Sequence, residues 1–168
     1  MRKSGILMDL ASLPSEYGVG TMGAAARKFA DFLSDAGQQY WQLLPICPTS
    51  YGDSPYQSFS TFAGNPYFID LDLLASEGLL DKKEYVSVNW GDDVSRIDYG
   101  RLYEQRYPVL KLAAKRFLEN EPEDFETFCE LQAFWLEDYA LFMTLKDTHG
   151  GCSWWQWEDE LKRRDHSA

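Results

Sequence analysis

The residues best suited to chemistry stand together in YGDSPYQSFSTFAGNPYFIDLDLL, positions 51–74. Tyr51, Tyr56, Phe59 and Phe62 alternate there with Asp53, Ser54, Gln57, Ser58, Ser60, Thr61 and Asn65. The glycines and prolines among them forbid a long regular element. A plain turn would carry more charge and fewer rings, and a buried segment fewer hydroxyls and amides. Sugar rings present flat C–H faces that stack on aromatic rings, and their hydroxyls need neutral donors and acceptors such as Ser, Gln, Asn and Tyr. The mixture matches a surface that grips a neutral, polar, flat-faced ligand. Trp154, Trp155 and Trp157 offer either a second stacking surface or a packed helix.

Carboxylates are the other chemical resource: Asp9, Asp53, Asp70 and Asp72. Retaining glycosidic chemistry needs two carboxyl groups roughly 5 Å apart, one as nucleophile and one as acid/base. Asp70 and Asp72 are too close in sequence to frame a substrate between them and read as solvated or helix-capping groups. Asp53 admits two readings, a site group or the first residue of an Asx-type turn. His149, just before Gly150-Gly151, suits the carbonyl end of a helix, and His166 lies near the end of the chain. No serine stands in a nucleophile elbow, and GVGTMG (18–23) lacks the lysine of a phosphate-binding loop. No catalytic residue, metal site or cofactor is expected from these residues.

The totals restrict the partners. The 168 residues carry 16 basic and 27 acidic side chains, a formal charge of -11, with 45% hydrophobic and 15% aromatic residues. That charge repels nucleic acid and anionic membranes, and no apolar run reaches the roughly 18 residues of a membrane span. Asp9 and Pro14 arrive too early for a signal peptide. Cys47, Cys129 and Cys152 are odd in number and dispersed, which fits neither a disulfide framework nor zinc, and suits a cytoplasmic location.

The elements that must position the aromatic segment can be read in order. Residues 5–13 predict a strand. Thr21 predicts the cap of a helix to Ala36, with Ala25, Phe29, Phe32, Leu33 and Ala36 as its inner stripe and Gly37 as its terminator. Residues 39–46 predict a second strand carrying Trp41. Strand, helix, strand at this spacing is a βαβ unit with parallel pairing, and loops at the carboxyl ends of such strands carry sites. A short helix stopped by Gly78, a polar irregular stretch and a helix starting or kinking near Pro108 follow. That helix has Tyr103, Leu110, Ala114, Phe117 and Leu118 as its stripe. A helix or helix pair over 122–151 and a further helix after Trp154 complete the chain. Phe117, Phe128 and Phe142 are expected in cores. The organisation divides into 1–74, the strands, helix and loop, and 75–168, mainly helical.

The motifs SGILMDLASLPSEYGVGTMG, YWQLLP, SPYQSFS, GNPYFIDL and WLEDYALFMTLKDTHGG resemble, in order and spacing, the N-terminal region of the 4-α-glucanotransferases, or amylomaltases. The resemblance implies an α/β fold, the beginning of an α-amylase-type (β/α)8 TIM barrel with a helical inserted subdomain. It implies transfer of α-1,4-glucan segments between maltooligosaccharides by a retaining double displacement, without cofactor. Asp53, Ser54 and Tyr56 would line sugar sites, and Tyr51 and Tyr103 would form the aromatic pair of a glucan groove. Gln57, Ser60 and Asn65 would either touch sugar or brace the loop. Asp9 departs from the histidine or small residue many members carry. The family's catalytic carboxylates lie in later strands, with no counterpart before Ala168, so the chain alone is expected to be inactive. A non-catalytic glucan-binding module and a protein-interaction domain are the alternative readings.

Overall fold

A computed structural model describes residues 2–50 and 52–165. Its contacts divide into two units, Met1–Pro122 and Glu123–Ala168.

In the first unit, strand β1 (Gly5–Leu7) pairs in parallel with β2 (Tyr40–Gln42), Gly5 opposite Tyr40, and helix α1 (Ala24–Asp35) connects them. The βαβ unit is therefore present, with strands shorter than the apolar runs. β1 stops because the Asp9 carboxylate accepts from Ala11 N–H at 3.4 Å and folds Leu10–Ser12 into a 3-10 turn. β2 runs into Pro45, which has no N–H to offer a ladder. α1 starts at Gly23 rather than Thr21. The Thr21 hydroxyl instead donates to Asp70 at 2.5 Å, and Gly23 must be glycine, since a Cβ there would lie 1.8 Å from that carboxylate. Gly37, at φ 68°, ends the helix as expected. Phe29 and Leu33 face inward, Phe29 meeting Trp41 edge-on at 4.9 Å. The Trp41 indole donates to Met8 O at 2.8 Å. Phe32, expected inside, is 61% exposed.

Helix α2 (Leu71–Ser76) is capped by Asp70, which accepts from Leu73 N–H at 2.9 Å. Asp72 receives the hydroxyls of Tyr17 and Tyr85 at 3.0 and 2.7 Å. Burial first, and then the bond to Asp72, push the Tyr17 phenol up to about 12. Both aspartates are thus structural anchors.

Helix α3 (Tyr99–Glu119) begins nine residues before Pro108, capped by Asp98 accepting from Arg101 N–H at 3.0 Å. Pro108 is tolerated inside it because its exposed ring faces water, as does Glu104, whose carbonyl loses its partner. The buried stripe is Leu102, Arg106, Val109 and Ala113, one residue out of step with the expected one, which puts Tyr103 outside. Leu102 packs with Leu10, Leu71, Tyr85 and Trp90 in the main core. Arg106 is fully buried and donates to Tyr17 O and Ile69 O at 3.2 and 2.7 Å, its guanidinium over the Trp90 ring. One cation thereby fastens three segments of the unit.

The second unit contains α4 (Asp124–Gln132), α5 (Leu136–Thr148) and α6 (Asp159–Arg163), so residues 122–151 form a helix pair. Phe142 is half-buried and Trp157 buried, their rings 5.6 Å apart. Phe128 is exposed, against expectation. His149 caps α5. Its two ring nitrogens face the Leu145 carbonyl at 2.7 Å and the Glu158 carboxylate at 2.9 Å.

Candidate functional site

The segment after β2 folds on itself before it presents anything. Thr49 and Ser58 form an antiparallel bridge, and Ser50 N–H donates to Gln57 O at 3.0 Å. Inside this small loop Asp53 N–H donates to Ser50 O at 3.1 Å, with Asp53 in the left-handed region at φ 54°. Gln57 N–H donates to Ser54 O at 3.0 Å, and the Ser54 hydroxyl accepts from Tyr56 N–H at 3.3 Å. The loop therefore holds itself by its own backbone and short side chains, which leaves Tyr56 standing 74% exposed. Ser60 accepts from Phe62 and Ala63 N–H, both at 3.1 Å. Buried Asn65 accepts from Tyr67 N–H at 3.0 Å. Ser60 and Asn65 thus brace the loop.

A cluster of tyrosines lies beyond it. Tyr67 sits 5.6 Å from Tyr107 and 6.3 Å from Tyr99, and Tyr103 sits 5.6 Å from Tyr107, edge to face. Burial pushes the Tyr67 and Tyr99 phenols up, and the negative charge of Asp53 adds to both. The Asp53 carboxyl is itself raised by burial. Asp53 is thus tied electrically to the tyrosine cluster, and Tyr103 is part of it. Ser54 and Tyr56 share the loop with Asp53. Tyr51 lies outside the described residues.

The sequence reading missed Tyr67, Tyr99 and Tyr107. For the two on α3 a signal is present: tyrosines at 99, 103 and 107 recur every four residues, which stacks them on one helix face. A helix starting or kinking near Pro108 obscures it.

Such an arrangement offers exposed and half-buried rings for stacking, phenolic and seryl hydroxyls for hydrogen bonds, and one partly shielded carboxyl. It suits binding. Among the described residues no group of three or more His, Cys, Asp or Glu is placed to hold a metal ion. No described helix is long and apolar enough to cross a membrane. In the Gly18–Gly23 loop, Gly20 N–H donates to Ala11 O at 3.0 Å and Met22 N–H to Phe68 O at 2.9 Å.

A 4-alpha-glucanotransferase of Clostridium butyricum is 50% identical over 157 residues, spanning 94% of this chain and 32% of that protein. One from Thermus thermophilus is 50% identical over 171 residues, spanning 99% of this chain and 33% of that protein. The amylomaltase from Streptococcus agalactiae in complex with acarbose superposes with a TM-score of 0.94 at 42% identity, covering 99% of this chain and 34% of that one. The chain thus spans about a third of the length of the curated relatives it matches. Since the family model described as 4-alpha-glucanotransferase also matches residues 8–168, the chain belongs to the 4-alpha-glucanotransferase family.

Proposed function

We propose that these residues are the sugar-gripping part of a 4-α-glucanotransferase that moves α-1,4-glucan segments between maltooligosaccharides by a retaining double displacement. The observation that carries the reading is the self-braced loop with Tyr56 exposed, beside the cluster of Tyr67, Tyr99, Tyr103 and Tyr107, in a chain that superposes on an acarbose-bound amylomaltase with a TM-score of 0.94. Asp53, Ser54 and Tyr56 bind donor sugar, and Tyr103, with Tyr51, carries a glucan strand across the ring surface. The substrate is a neutral α-glucan, in keeping with the chain's acidity and its neutral hydroxyl-rich loop.

β1, α1 and β2 are in this reading the first turn of a (β/α)8 barrel. Its further strands would cover Ile6, Leu7 and Phe32, which are 40%, 57% and 61% exposed. Residues 75–168 form the inserted helical subdomain, 1–74 belong to the barrel and its loop, and the cytoplasm is the setting. The catalytic carboxylates lie on barrel strands that these residues do not include. Asp70 and Asp72 are occupied as anchors and play no chemical part.

Glucose release from maltotriose tests the reading. The 168-residue chain should release none, and the same residues joined to the remaining two thirds of a family member should release glucose together with longer maltooligosaccharides. Turnover by the short chain would overturn the assignment of catalysis to other strands. A full-length protein that lacks transfer would overturn the proposed activity.

A further inference from the structure

The inner face of α3 holds a cation that stability alone does not call for. Arg106 is fully buried, and two of its nitrogens donate to Tyr17 O and Ile69 O at 3.2 and 2.7 Å. Its Nε–H is buried as well and has no hydrogen-bond partner among the described residues. Burial pushes the guanidinium down to about 10. A buried cation with one donor unmet is a costly way to fill a core. An apolar side chain of similar volume often serves stability as well or better.

The position of the two carbonyls gives the cation another use. Ile69 N–H donates to Pro66 O at 3.2 Å and closes the turn Pro66–Phe68, so the Ile69 carbonyl leaves that turn two residues after Tyr67. Tyr67 is the buried ring of the tyrosine cluster, 5% exposed. It lies 5.6 Å from Tyr107, which in turn meets Tyr103, 62% exposed, edge to face. Tyr107 follows Arg106 directly in α3, and Tyr103 stands one turn before it. The Arg106–Ile69 bond therefore spans the same gap, between α3 and the turn, that the Tyr67 and Tyr107 rings span. The other arm is held on Tyr17 O, in a residue whose own hydroxyl is anchored on Asp72 at 3.0 Å.

We propose that Arg106 is a positioning residue for glucan binding. By tying Ile69 to α3 it sets how Tyr67 supports Tyr107 and Tyr103, and so where the exposed Tyr103 ring meets the sugar. A gap of roughly 0.5–1 Å already forfeits about a quarter to a half of a van der Waals contact, so a small shift of the ring surface reaches affinity. The proposal rests on the glucan reading above and adds to it the buried residue that holds the rings in place.

The test compares maltotriose titrations, followed by NMR shifts of residues 99–107, for the 168-residue chain and for Arg106→Met, Arg106→Lys and Leu102→Ala. Arg106→Met nearly keeps the volume and removes both donors. Arg106→Lys keeps the charge but not the two-armed fork, and decides the question should the first variant fail to fold. Leu102→Ala loosens the same helix face while leaving both carbonyl bonds, so it reports what lost stability alone does. The Arg106 variants should bind about fivefold more weakly, the scale of one disturbed aromatic contact. Their ligand-free Tyr67 and Tyr107 ring-proton signals should shift as well. Leu102→Ala, measured where it is folded, should keep the wild-type affinity and leave those signals in place. Wild-type affinity in the Arg106 variants, or an equal loss in Leu102→Ala, overturns the proposal and leaves the glucan reading intact. A wild-type chain whose signals stay fixed overturns the glucan reading and this proposal with it.

Discussion

Asp53 holds a backbone conformation, φ 54°, that residues with a Cβ rarely adopt, at a cost of about 1 kcal/mol for most side chains. Asparagine and aspartate bear it best because their short polar groups bond locally. Asp53 joins that strained turn to a carboxyl whose proton affinity burial has raised and whose charge reaches Tyr67 and Tyr99. The two roles separate by substitution. Asp53→Gly should be more stable than Asp53→Ala by about 1 kcal/mol in urea unfolding, while both lose maltotriose affinity to the same extent. Equal stabilities would remove the strain, and unequal affinities would show that the backbone rather than the carboxyl matters. The sequence made Asp53 visible as either a turn former or a site group; the turn is observed, and the site role is what we propose. It could not show the tyrosine cluster, because three of its rings arrive from α3 and one from the turn at Pro66–Phe68, a convergence that only tertiary packing creates.

α3 shows how an element can be recognised and still be misread. Its helical period was legible, but a stripe through Tyr103, Leu110 and Ala114 buries one face too far round. Arg106 decides the rotation. A residue type almost never buried occupies the centre of the inner face, held by two carbonyls and an indole ring. Leu102, fully buried one turn before it, should cost about 3 kcal/mol as Leu102→Ala, whereas Leu118→Ala, on the exposed side, should cost under about 0.5 kcal/mol; equal losses would contradict the observed stripe. The end of α5 carries a second test. Only an imidazolium can donate to both the Leu145 carbonyl and the Glu158 carboxylate, and these bonds, the carbonyl first, raise His149 above its ordinary 6.5. A raised value means that the folded state holds the proton more tightly. The stability gained is complete below 6.5 and disappears as the pH rises through the raised value. Thermal melts from about pH 5.5 to about pH 8.5 should therefore fall more steeply for the wild type than for His149→Gln. Parallel slopes would remove the coupling.

At the scale of the whole molecule, the βαβ plan and the aromatic loop after its second strand were legible because periodicity and punctuation are local signals. The short strands and the exposed Phe32 and Phe128 were not, because apolar runs announce burial without saying against what. The chain spans about a third of its relatives, and in the proposed barrel the two strands and Phe32 meet further strands. The central claim is that the loop and the tyrosine cluster hold an α-glucan. It is tested most directly by measuring the binding of maltotriose to the 168-residue chain and to Tyr56→Ala by chemical-shift titration. Saturable millimolar binding at residues 52–67 and 99–107, lost in Tyr56→Ala without loss of fold, is the predicted result. Signals in those residues that stay fixed at high maltotriose, or that move identically in Tyr56→Ala, would contradict it.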